Sequence, residues 1–433
     1  MTYDYLIEIR PIIEKYRLKG KTTSLKHKLG LRKTTRVPHL TLVYNFIPKI
    51  PAYKIAELIK ETASKYKELR FTYCDLDLKK GDRGHTLVFR IEPSEELREF
   101  RYELYQKLKN SIIENPRTKK FNAVSKNDFW FHAAIAIHQD DKKAEKIDDF
   151  IENKETILEK FLGYFRDNED KHTSRTRRSL VYPSEAARIT ILRSGKIAYE
   201  YDKFINKILG RSESLSWNYK RLTLEAYRKK KQIEFMPTNV KDSASQNWLI
   251  SDTHFGHSNI IDLCARPFVD VKEMNNILEN NWNATVKKQD TVYFLGDITL
   301  GRGARPKDYW LSKLNGNIVY IRGNHDKEIE HTKLSETVDY KGYRFLLIHD
   351  PSEKPKEWND WVIHGDKHNN NLEKYPLINR DQKTVNVCVE LIKYRPINFD
   401  KIIEMIENKK DDNILTLDYE CNCNSSTKQY SNQ

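Results

Sequence analysis

WLISDTHFGH, from Trp248 to His257, decides the fold of the carboxy-terminal half, because its short apolar run ends directly at Asp252 and His254. Alternate side chains of an extended chain share one face, so this carboxylate and this imidazole can reach the same cation. Ligand-bearing loops at strand ends are typical of open α/β sheets, and the pattern predicts such a sheet here. Four further clusters follow, each after another apolar run: Gly296-Asp297, Gly323-Asn324-His325-Asp326, His349 and Gly365-Asp366-Lys367-His368.

The side chains of these clusters form a donor set suited to two divalent cations. Asp297 offers a carboxylate able to bridge two metals about 3.5 to 4 Å apart, a separation that holds both the attacking and the leaving oxygen of a phosphoryl group. Asn324 supplies a neutral amide oxygen, and the histidines complete a nitrogen and oxygen set for manganese, iron, zinc or nickel. We expect His257 to contact the substrate phosphate. The alternative is that these residues only cap helices and turns.

Five motifs resemble those of the calcineurin-like metallophosphoesterases, in particular their small bacterial and phage-type branch: WLISDTHFGHSNII, ARPF, DTVYFLGD, IRGNHD and HGDKH. The similarity extends to VNVCVELIKYRPINFDKI near the end of the chain. The resemblance implies a four-layer αββα sandwich with a dinuclear metal centre. It assigns Asp252, His254, Asp297 and His368 to one metal, Asp297, Asn324, His349 and Asp366 to the other, and an acid or phosphate-donor role to His325.

Asp366 departs from that family, whose members usually carry a histidine at this position. A carboxylate still binds a hard divalent ion, so we expect a metal preference moved toward manganese or magnesium. A weakened or lost site is the alternative. His364 directly precedes the motif, and we do not assign it as a ligand, because in an extended segment it points elsewhere.

The amino-terminal half carries the positive charge of the chain. Residues 1–240 hold 50 Lys plus Arg against 33 Asp plus Glu, a net of +17, whereas residues 241–433 hold 26 against 29, a net of −3. Basic residues cluster in Lys19–Arg36, Lys171–Arg178 and Arg228–Lys231. Such clusters are typical of surfaces that bind a polyphosphate backbone, and they predict RNA or another oligonucleotide as substrate. A solvated surface without a ligand is the alternative.

Two strand-like segments of this basic half each present a histidine: PHLTL with His39, and FHAAI with His132. Two histidines that face each other across a groove can act as general base and general acid on a phosphodiester without a metal. Thr41 shares the face of His39, and its hydroxyl would donate to a phosphate oxygen. The alternative is a pair of structural histidines in half-buried strands.

The two histidine segments resemble the 2H phosphoesterase superfamily, which includes 2′-5′ RNA ligase and cyclic phosphodiesterase enzymes. ARITILRSGKIAYEYDKFINKILGR is similar to the closing strands and helix of that family, so the resemblance implies a bilobal α+β fold for residues 1–235. Ala134 departs from the second motif, which normally has Thr or Ser there. Losing one donor to a charged phosphate costs roughly 1.5 to 3 kcal/mol, so we expect slowed catalysis unless Arg188 or Lys126 substitutes.

The fold class expected from these patterns is α+β in two domains. At 433 residues the chain is long enough for two cores. Strand-like runs alternate with amphipathic stretches that predict helices, such as Ala52–Leu69 and Ser94–Ile113. We place a 2H-like domain at residues 1–235, a linker at 236–246, a metallophosphoesterase domain at 247–407 and a polar tail at 408–433.

The sequence predicts a cytoplasmic protein. No run reaches the roughly 18 apolar residues that a membrane span needs, and the amino terminus carries acids within its apolar stretch, unlike a secretory signal. The five cysteines lack the spacing of a disulfide framework. The sequence leaves the oligomeric state open.

These observations predict a bifunctional phosphoesterase that acts on RNA ends. The histidine domain would open a 2′,3′-cyclic phosphate, and the metal domain would then cleave a phosphomonoester or phosphodiester of the product. A second hypothesis is an enzyme that degrades cyclic or 2′-5′-linked oligonucleotide messengers. A third is an RNA-binding protein in which Ala134 and Asp366 mark decayed sites.

Overall fold

The structure is a computed structural model, and it describes most of the chain: residues 4–35, 37–152, 182–233, 245–301, 304–326, 333–408, 413–417 and 419–420. The basic run at 171–178, most of the predicted linker and most of the predicted tail lie outside the described residues. Within the described ranges, no helix has the length and apolar character that a bilayer span requires.

The chain forms two compact units. One comprises Met1–Lys230 together with Ser258–Glu273, and the other comprises Lys231–His257 together with Met274–Gln433. Both units mix helices with β-sheets, which confirms the predicted α+β class in two domains. The proposed domain boundaries and the bilobal shape of the first domain stay predictions.

The first unit is built on one large sheet. Its strands are β1 (Tyr5–Arg10), β2 (Leu40–Pro48), β3 (Arg70–Gly81), β4 (Gly84–Pro93), β5 (Ile112–Ile113), β6 (His132–Gln139), β7 (Tyr182–Glu185), β8 (Arg188–Arg193), β9 (Lys196–Asp202) and β10 (Lys207–Gly210). Its helices are α1 (Lys15–Leu29), α2 (Ala52–Ala63), α3 (Glu95–Leu108), α4 (Pro116–Asn122), α5 (Asp141–Glu152), α6 (Arg211–Leu215), α7 (Trp217–Lys230) and α8 (Ser258–Leu263).

The strand order is β10-β9-β8-β1-β2-β6-β4-β3-β7, with β5 paired to β2. All these pairings are antiparallel, so residues directly opposite each other share a face of the sheet. Leu40 of β2 pairs with Ala133 of β6, and both are buried on the core face. The residues that flank them, His39 and Thr41 on one strand and His132 on the next, therefore lie on the opposite face.

Two predicted helices of the first unit are shorter than expected. Helix α2 ends at Ala63. Leu69, which the prediction placed in the helix, is instead a fully buried residue directly before β3, which begins at Arg70. Helix α3 begins after Ser94, whose hydroxyl accepts the backbone N–H of Leu97 at 3.3 Å, a common helix start. It ends at Leu108, and the two isoleucines that follow form the short strand β5. The apolar spacing alone did not separate a helix end from a following strand.

The second unit contains two sheets. Its strands are β11 (Asn247–Ile250), β12 (Thr291–Phe294), β13 (Asn317–Tyr320), β14 (Ser335–Tyr340), β15 (Tyr343–Ile348), β16 (Trp361–His364), β17 (Ile378–Asn379), β18 (Thr384–Asn386), β19 (Ile397–Asn398), β20 (Ile414–Thr416) and β21 (Tyr419–Glu420). Its helices are α9 (Val271–Thr285, from Met274 onward), α10 (Lys307–Leu311) and α11 (Phe399–Glu407), with a 3-10 turn at Pro351–Glu353.

One sheet has the order β13-β12-β11-β19, and the other has the order β14-β15-β16-β18-β17-β20-β21. Strands β11, β12 and β13 are parallel to one another, as are β15, β16 and β18. Each of the five apolar runs predicted to precede a ligand cluster forms a strand: β11, β12, β13, β15 and β16. Parallel strands place their carboxyl ends at one edge, so the loops that follow them converge.

Candidate functional sites

The loops after β11, β12, β13, β15 and β16 meet in one cluster in the second unit, in which the predicted aspartate and histidine ligands are buried and Asn324 is exposed. All seven predicted ligands lie there: Asp252, His254, Asp297, Asn324, His349, Asp366 and His368. Two groups of three have ligand atoms within 4.8 Å of one another: Asp252 with His254 and His368, and Asp252 with Asp297 and His349. The structure thus brings together residues that lie more than a hundred positions apart in the sequence.

The first group surrounds one oxygen of Asp252. The Nε2 of His254 lies 3.7 Å from Asp252 Oδ1, and the Nε2 of His368 lies 3.6 Å from the same atom. The Oδ2 of Asp297 is 3.5 Å from His254 Nε2 and 3.7 Å from His349 Nε2. A single carboxylate oxygen of Asp297 therefore faces imidazoles of both groups, as a bridging ligand requires.

Asp366 is held in the cluster by charge and by hydrogen bonds. Its Oδ1 lies 3.6 Å from His349 Nε2 and accepts a hydrogen bond from Asn324 Nδ2 at 3.0 Å. Its Oδ2 pairs with the Nζ of Lys367 at 2.8 Å, and the same ammonium lies 3.0 Å from Asp350. One oxygen of Asp366 therefore faces the cluster, and Lys367 partly neutralises the other.

The backbone is strained where it presents the predicted ligands. Asp252, His254, Asp297, Asp366 and His368 all have positive φ values, between 47° and 62°. Such left-handed conformations cost non-glycine residues about 1–3 kcal/mol each and persist where the surrounding structure enforces them. The strain allows both residues of each Asp-x-His pair to turn toward the cluster.

At two motif positions only glycine fits, because neighbouring ligand-bearing loops pack directly against its backbone. A Cβ atom at Gly323 would overlap the carboxylate of Asp297, and one at Gly365 would overlap Ser251 Oγ and the carboxylate of Asp252. The loops after β13 and β16 can therefore pack against the ligand-bearing loops only with glycine at these positions.

The residues present fit a pair of divalent cations. The Nε2 of His349 is buried and has no hydrogen-bond partner among the described residues, and its Nδ1 lies 2.6 Å from the carbonyl oxygen of Leu295, which fixes the ring. Burial raises the pKa of Asp297 to about 7, and repulsion from the carboxylates of Asp252 and Asp326 adds to this. Buried acids that repel one another around imidazole nitrogens are stabilised by bound cations.

Two other predicted residues lie at the rim of this cluster. The side chain of His325 is 28% exposed, and its Nε2 lies 3.9 Å from Asp297 Oδ2. The rings of His325 and His257 lie 5.8 Å and 5.4 Å from the ring of His254, measured between centroids. Both could reach a phosphate bound at the cluster. His364 packs against Tyr375 and contacts its neighbour's carbonyl through Nδ1, in keeping with its exclusion from the ligand set.

One residue that supports this cluster was missed by the sequence reasoning. The carboxylate of Glu390 lies 3.1 Å from the Nδ1 of His368, and both side chains are 1% exposed. A carboxylate on the outer nitrogen of a ligating histidine fixes its tautomer and its orientation. Glu390 lies in the VNVCVELIKYRPINFDKI stretch, which carried no chemical signal of its own.

The second candidate site lies on the face of the first unit's sheet opposite to Leu40 and Ala133. His39 and Thr41 lie at β2, and His132 begins the neighbouring strand β6. The imidazole of His132 is partly buried, and burial lowers its pKa below the usual 6.5, with the nearby His39 acting in the same direction. The two histidines are therefore within electrostatic range of each other, as the predicted acid and base pair requires.

The two histidines have different surroundings. The Nε2 of His39 lies 3.2 Å from the carboxylate of Glu8, which is fully buried, and its Nδ1 lies 3.3 Å from the carbonyl oxygen of Val37. The Nδ1 of His132 lies 3.1 Å from the carbonyl oxygen of Trp130. His39 thus has a carboxylate beside its ring, whereas burial lowers the pKa of His132 and favours its neutral form. The sequence showed the pair but not this asymmetry.

Arg188 and Lys126, the basic residues suggested to replace the hydroxyl group missing at Ala134, are engaged elsewhere. Arg188 is buried and pairs with Asp202 at 2.9 Å and with Glu200 at 3.1 Å, which ties β8 to β9. Lys126 pairs with two glutamates of α3. That suggestion is wrong, because both charges are already engaged elsewhere. Instead, the exposed Arg90 of β4 pairs directly opposite His132, on the same face of the sheet.

One predicted basic cluster is not a free cationic surface. Arg228 is 2% exposed and makes two hydrogen bonds to the carboxylate of Glu273, at 3.0 and 3.1 Å. Lys230 pairs with Glu185 and Glu68. The cluster at 228–231 therefore contributes less positive surface than its sequence indicates.

Family models match both halves of the chain. The model of the 2′-5′ RNA ligase superfamily matches residues 7–161, and that of the calcineurin-like phosphoesterases matches residues 248–420. An uncharacterized protein of Methanocaldococcus jannaschii is 48% identical over 165 residues, which cover 38% of this chain and 92% of that protein. The Gene 66 protein of Mycobacterium phage L5 is 37% identical over 84 residues, which cover 19% of this chain and 40% of that protein.

Solved structures give partial matches. A protein of unknown function from Aquifex aeolicus is 28% identical, with a TM-score of 0.30 over 37% of this chain and 100% of that chain. A conserved uncharacterized protein from Streptococcus pneumoniae, titled as a predicted phosphoesterase, is 16% identical, with a TM-score of 0.20 over 34% of this chain and 73% of that chain. On the two family matches, the chain joins a domain of the 2′-5′ RNA ligase superfamily to a calcineurin-like phosphoesterase domain, and it is a phosphoric ester hydrolase.

Proposed function

We propose that the protein is a bifunctional phosphoesterase of RNA ends, with a metal-independent 2′,3′-cyclic phosphodiesterase site and a separate dinuclear-metal site. The observation that carries the proposal is the presence, in one chain, of two distinct constellations: a half-buried histidine pair on one sheet face and a buried cluster of aspartates and imidazoles. Each has its own way of cleaving a P–O bond.

At the histidine site, the different surroundings of the two rings support two different roles. The neutral His132 takes a proton from a water molecule as that water attacks the phosphorus of the cyclic ester. A new P–O bond forms, and one P–O bond to the ribose breaks. His39, held beside the carboxylate of Glu8, gives its proton to the departing ribose oxygen. Thr41 and Arg90 are placed to donate hydrogen bonds to the other phosphate oxygens.

At the second site, the seven clustered ligands would hold two cations, with manganese as the preferred metal because carboxylate and amide oxygens contribute much of the set. When bound, such cations supply an acidic water and neutralise the charge of a phosphoryl group. His325 donates a hydrogen bond to the departing oxygen, and His257 orients the phosphate from the rim. Asp366 takes the place of a histidine in this set, and Lys367 balances its charge.

RNA is the proposed substrate because the first half of the chain carries a net charge of +17. A cation-rich domain attracts a polyphosphate backbone, and 2′,3′-cyclic phosphates occur only where a ribose 2′-hydroxyl is present. The product of the first site is a phosphomonoester, a class of substrate that a dinuclear centre can hydrolyse.

The test uses the full-length protein on an RNA oligonucleotide that ends in a 2′,3′-cyclic phosphate, with and without a chelator. We expect the chelator and the Asp297→Ala change to abolish phosphomonoester release while ring opening continues. His39→Ala should do the reverse. Asp381→Ala and His27→Ala, at exposed positions of the same two units, are the matched controls and should retain both activities.

Loss of both activities in either variant would contradict two independent sites. Cyclic dinucleotides and 2′-5′-linked oligonucleotides belong in the same panel. Faster turnover of those compounds than of the RNA end would identify messenger degradation as the function. No bound metal and no rate above buffer on any substrate would leave only RNA binding.

A further inference from the structure

Trp130 lies at the mouth of the histidine site with part of its indole ring exposed. It is 36% exposed, whereas its neighbours Phe129 and Phe131 are each 3% exposed and pack into the core. The indole stacks on the imidazole of His132, with ring centroids 3.8 Å apart and an angle of 16° between the planes. One ring face of Trp130 is therefore covered by a proposed catalytic group.

The exposed part of the indole, about a third of the residue, is accessible to a ligand. Among the described residues, no other aromatic ring or cation contacts the ring of Trp130. An exposed tryptophan gives up the stabilisation that burying its apolar ring would provide. The ring lies directly beside a proposed catalytic imidazole, which a substrate must approach. The backbone of Trp130 is also fixed, since its carbonyl oxygen lies 3.1 Å from the Nδ1 of His132. The ring is thus a preorganised platform.

We propose that Trp130 stacks on a nucleobase of the substrate, so that the histidine site selects nucleotides over cyclic phosphates that lack a base. This inference rests on the proposed cyclic phosphodiesterase function and names the part of the substrate that the site recognises. Every base presents a π-face, so stacking binds purines and pyrimidines without reading sequence. A base stacked on the indole would hold the attached ribose and its phosphate beside His132.

A purely structural role for Trp130 makes a different prediction. If the indole only orients His132, its removal slows the chemical step for every substrate. If it binds a base, its removal weakens binding only of substrates that carry one. The two roles can therefore be distinguished by comparing a nucleoside 2′,3′-cyclic phosphate with base-free ribose 2′,3′-cyclic phosphate. Loss of an orienting role lowers kcat for both compounds, whereas loss of base stacking raises KM for the nucleotide.

The experiment measures kcat and KM of the full-length protein on these two compounds. We expect Trp130→Ala to raise KM for the nucleotide by about 5- to 150-fold more than it raises KM for the base-free compound, the range that corresponds to one stacked base. Trp130→Phe should keep most of the nucleotide affinity. Trp217→Ala removes another exposed tryptophan, 53% exposed in α7, and should have no effect.

If Trp130→Ala reduces kcat/KM equally for both compounds, or changes it for neither, the stacking proposal is overturned. The companion measurement is calorimetric binding of a nucleoside 2′-monophosphate and of ribose 2-phosphate, which needs no turnover. An affinity for the nucleotide that exceeds that for the sugar phosphate, and that disappears in Trp130→Ala, supports stacking. If the wild-type protein binds the two equally, stacking is excluded. Absence of turnover with intact selective binding would instead contradict the proposed activity alone.

Discussion

The carboxylate of Glu390 lies 3.1 Å from the Nδ1 of His368, and the opposite nitrogen of the same imidazole faces Asp252 Oδ1 at 3.6 Å. Glu390 therefore holds His368 in the orientation that a metal ligand needs. We expect Glu390→Gln to lower the affinity for manganese by about 10- to 100-fold, because the neutral amide orients and polarises the ring less strongly. Calorimetric titration of the metal-free protein measures this change.

Glu404→Gln is the matched control, because Glu404 lies on the exposed face of α11 and pairs only with Lys401 among the described residues. Its metal affinity should equal that of the wild type. An unchanged affinity in the Glu390 variant would show that His368 is not a ligand.

Asp366→His should change which metal the second site prefers. The carboxylate favours manganese and magnesium, whereas an additional imidazole favours zinc, iron or nickel. The change also leaves Lys367 without its closest carboxylate, so we expect a lower total metal affinity at neutral pH. Metal analysis of protein loaded from an equimolar mixture of these ions gives the preference. The same metal composition in both proteins would place Asp366 outside the coordination sphere.

Arg90 is predicted to donate to the phosphate in place of the hydroxyl that Ala134 lacks. Arg90 faces His132 across β4 and β6, and Ala134 is the next residue of β6 on that face. We expect Arg90→Ala to reduce kcat/KM for a cyclic phosphate by about 10- to 150-fold, as for one hydrogen bond to a charged group. Ala134→Thr added to that variant should restore part of the loss.

Arg83→Ala, an exposed arginine in the turn between β3 and β4, is the control for the loss of positive charge. If it reduces kcat/KM as much as Arg90→Ala, the effect of Arg90 is only long-range attraction of the substrate.

The pH dependence of the histidine site follows from the lowered pKa of His132. Burial holds that pKa below 6.5, so the neutral base persists to lower pH than in a free histidine. The acidic limb of the pH profile should therefore be centred below pH 6.5, with a decline of about tenfold per pH unit below the lowered pKa. The measurement uses kcat/KM of the Asp297→Ala variant with chelator, so that only the histidine site contributes. An acidic limb centred above pH 6.5 would exclude His132 as the base.

The ligand clusters could be predicted from the sequence because each directly follows an apolar strand. The apolar runs before Asp252, Asp297 and His349 form strands as predicted, and the convergence of their loops follows from parallel pairing. The histidine pair was readable for the same reason, since alternation along a strand fixes which side chains share a face. Helix ends were less accurate, because the apolar spacing continued past Ala63 and Leu108 into the next strands.

The sequence by itself thus determined the two families, the two sets of candidate site residues and the departures from the family motifs at Ala134 and Asp366. Only the tertiary structure decided which residues support them. Glu8 beside His39, Arg90 opposite His132 and Glu390 behind His368 come from strand register and loop packing between distant segments. The physical reason is that a one-residue shift in register turns a side chain to the other face of a sheet, and no local pattern records which register long-range pairing selects.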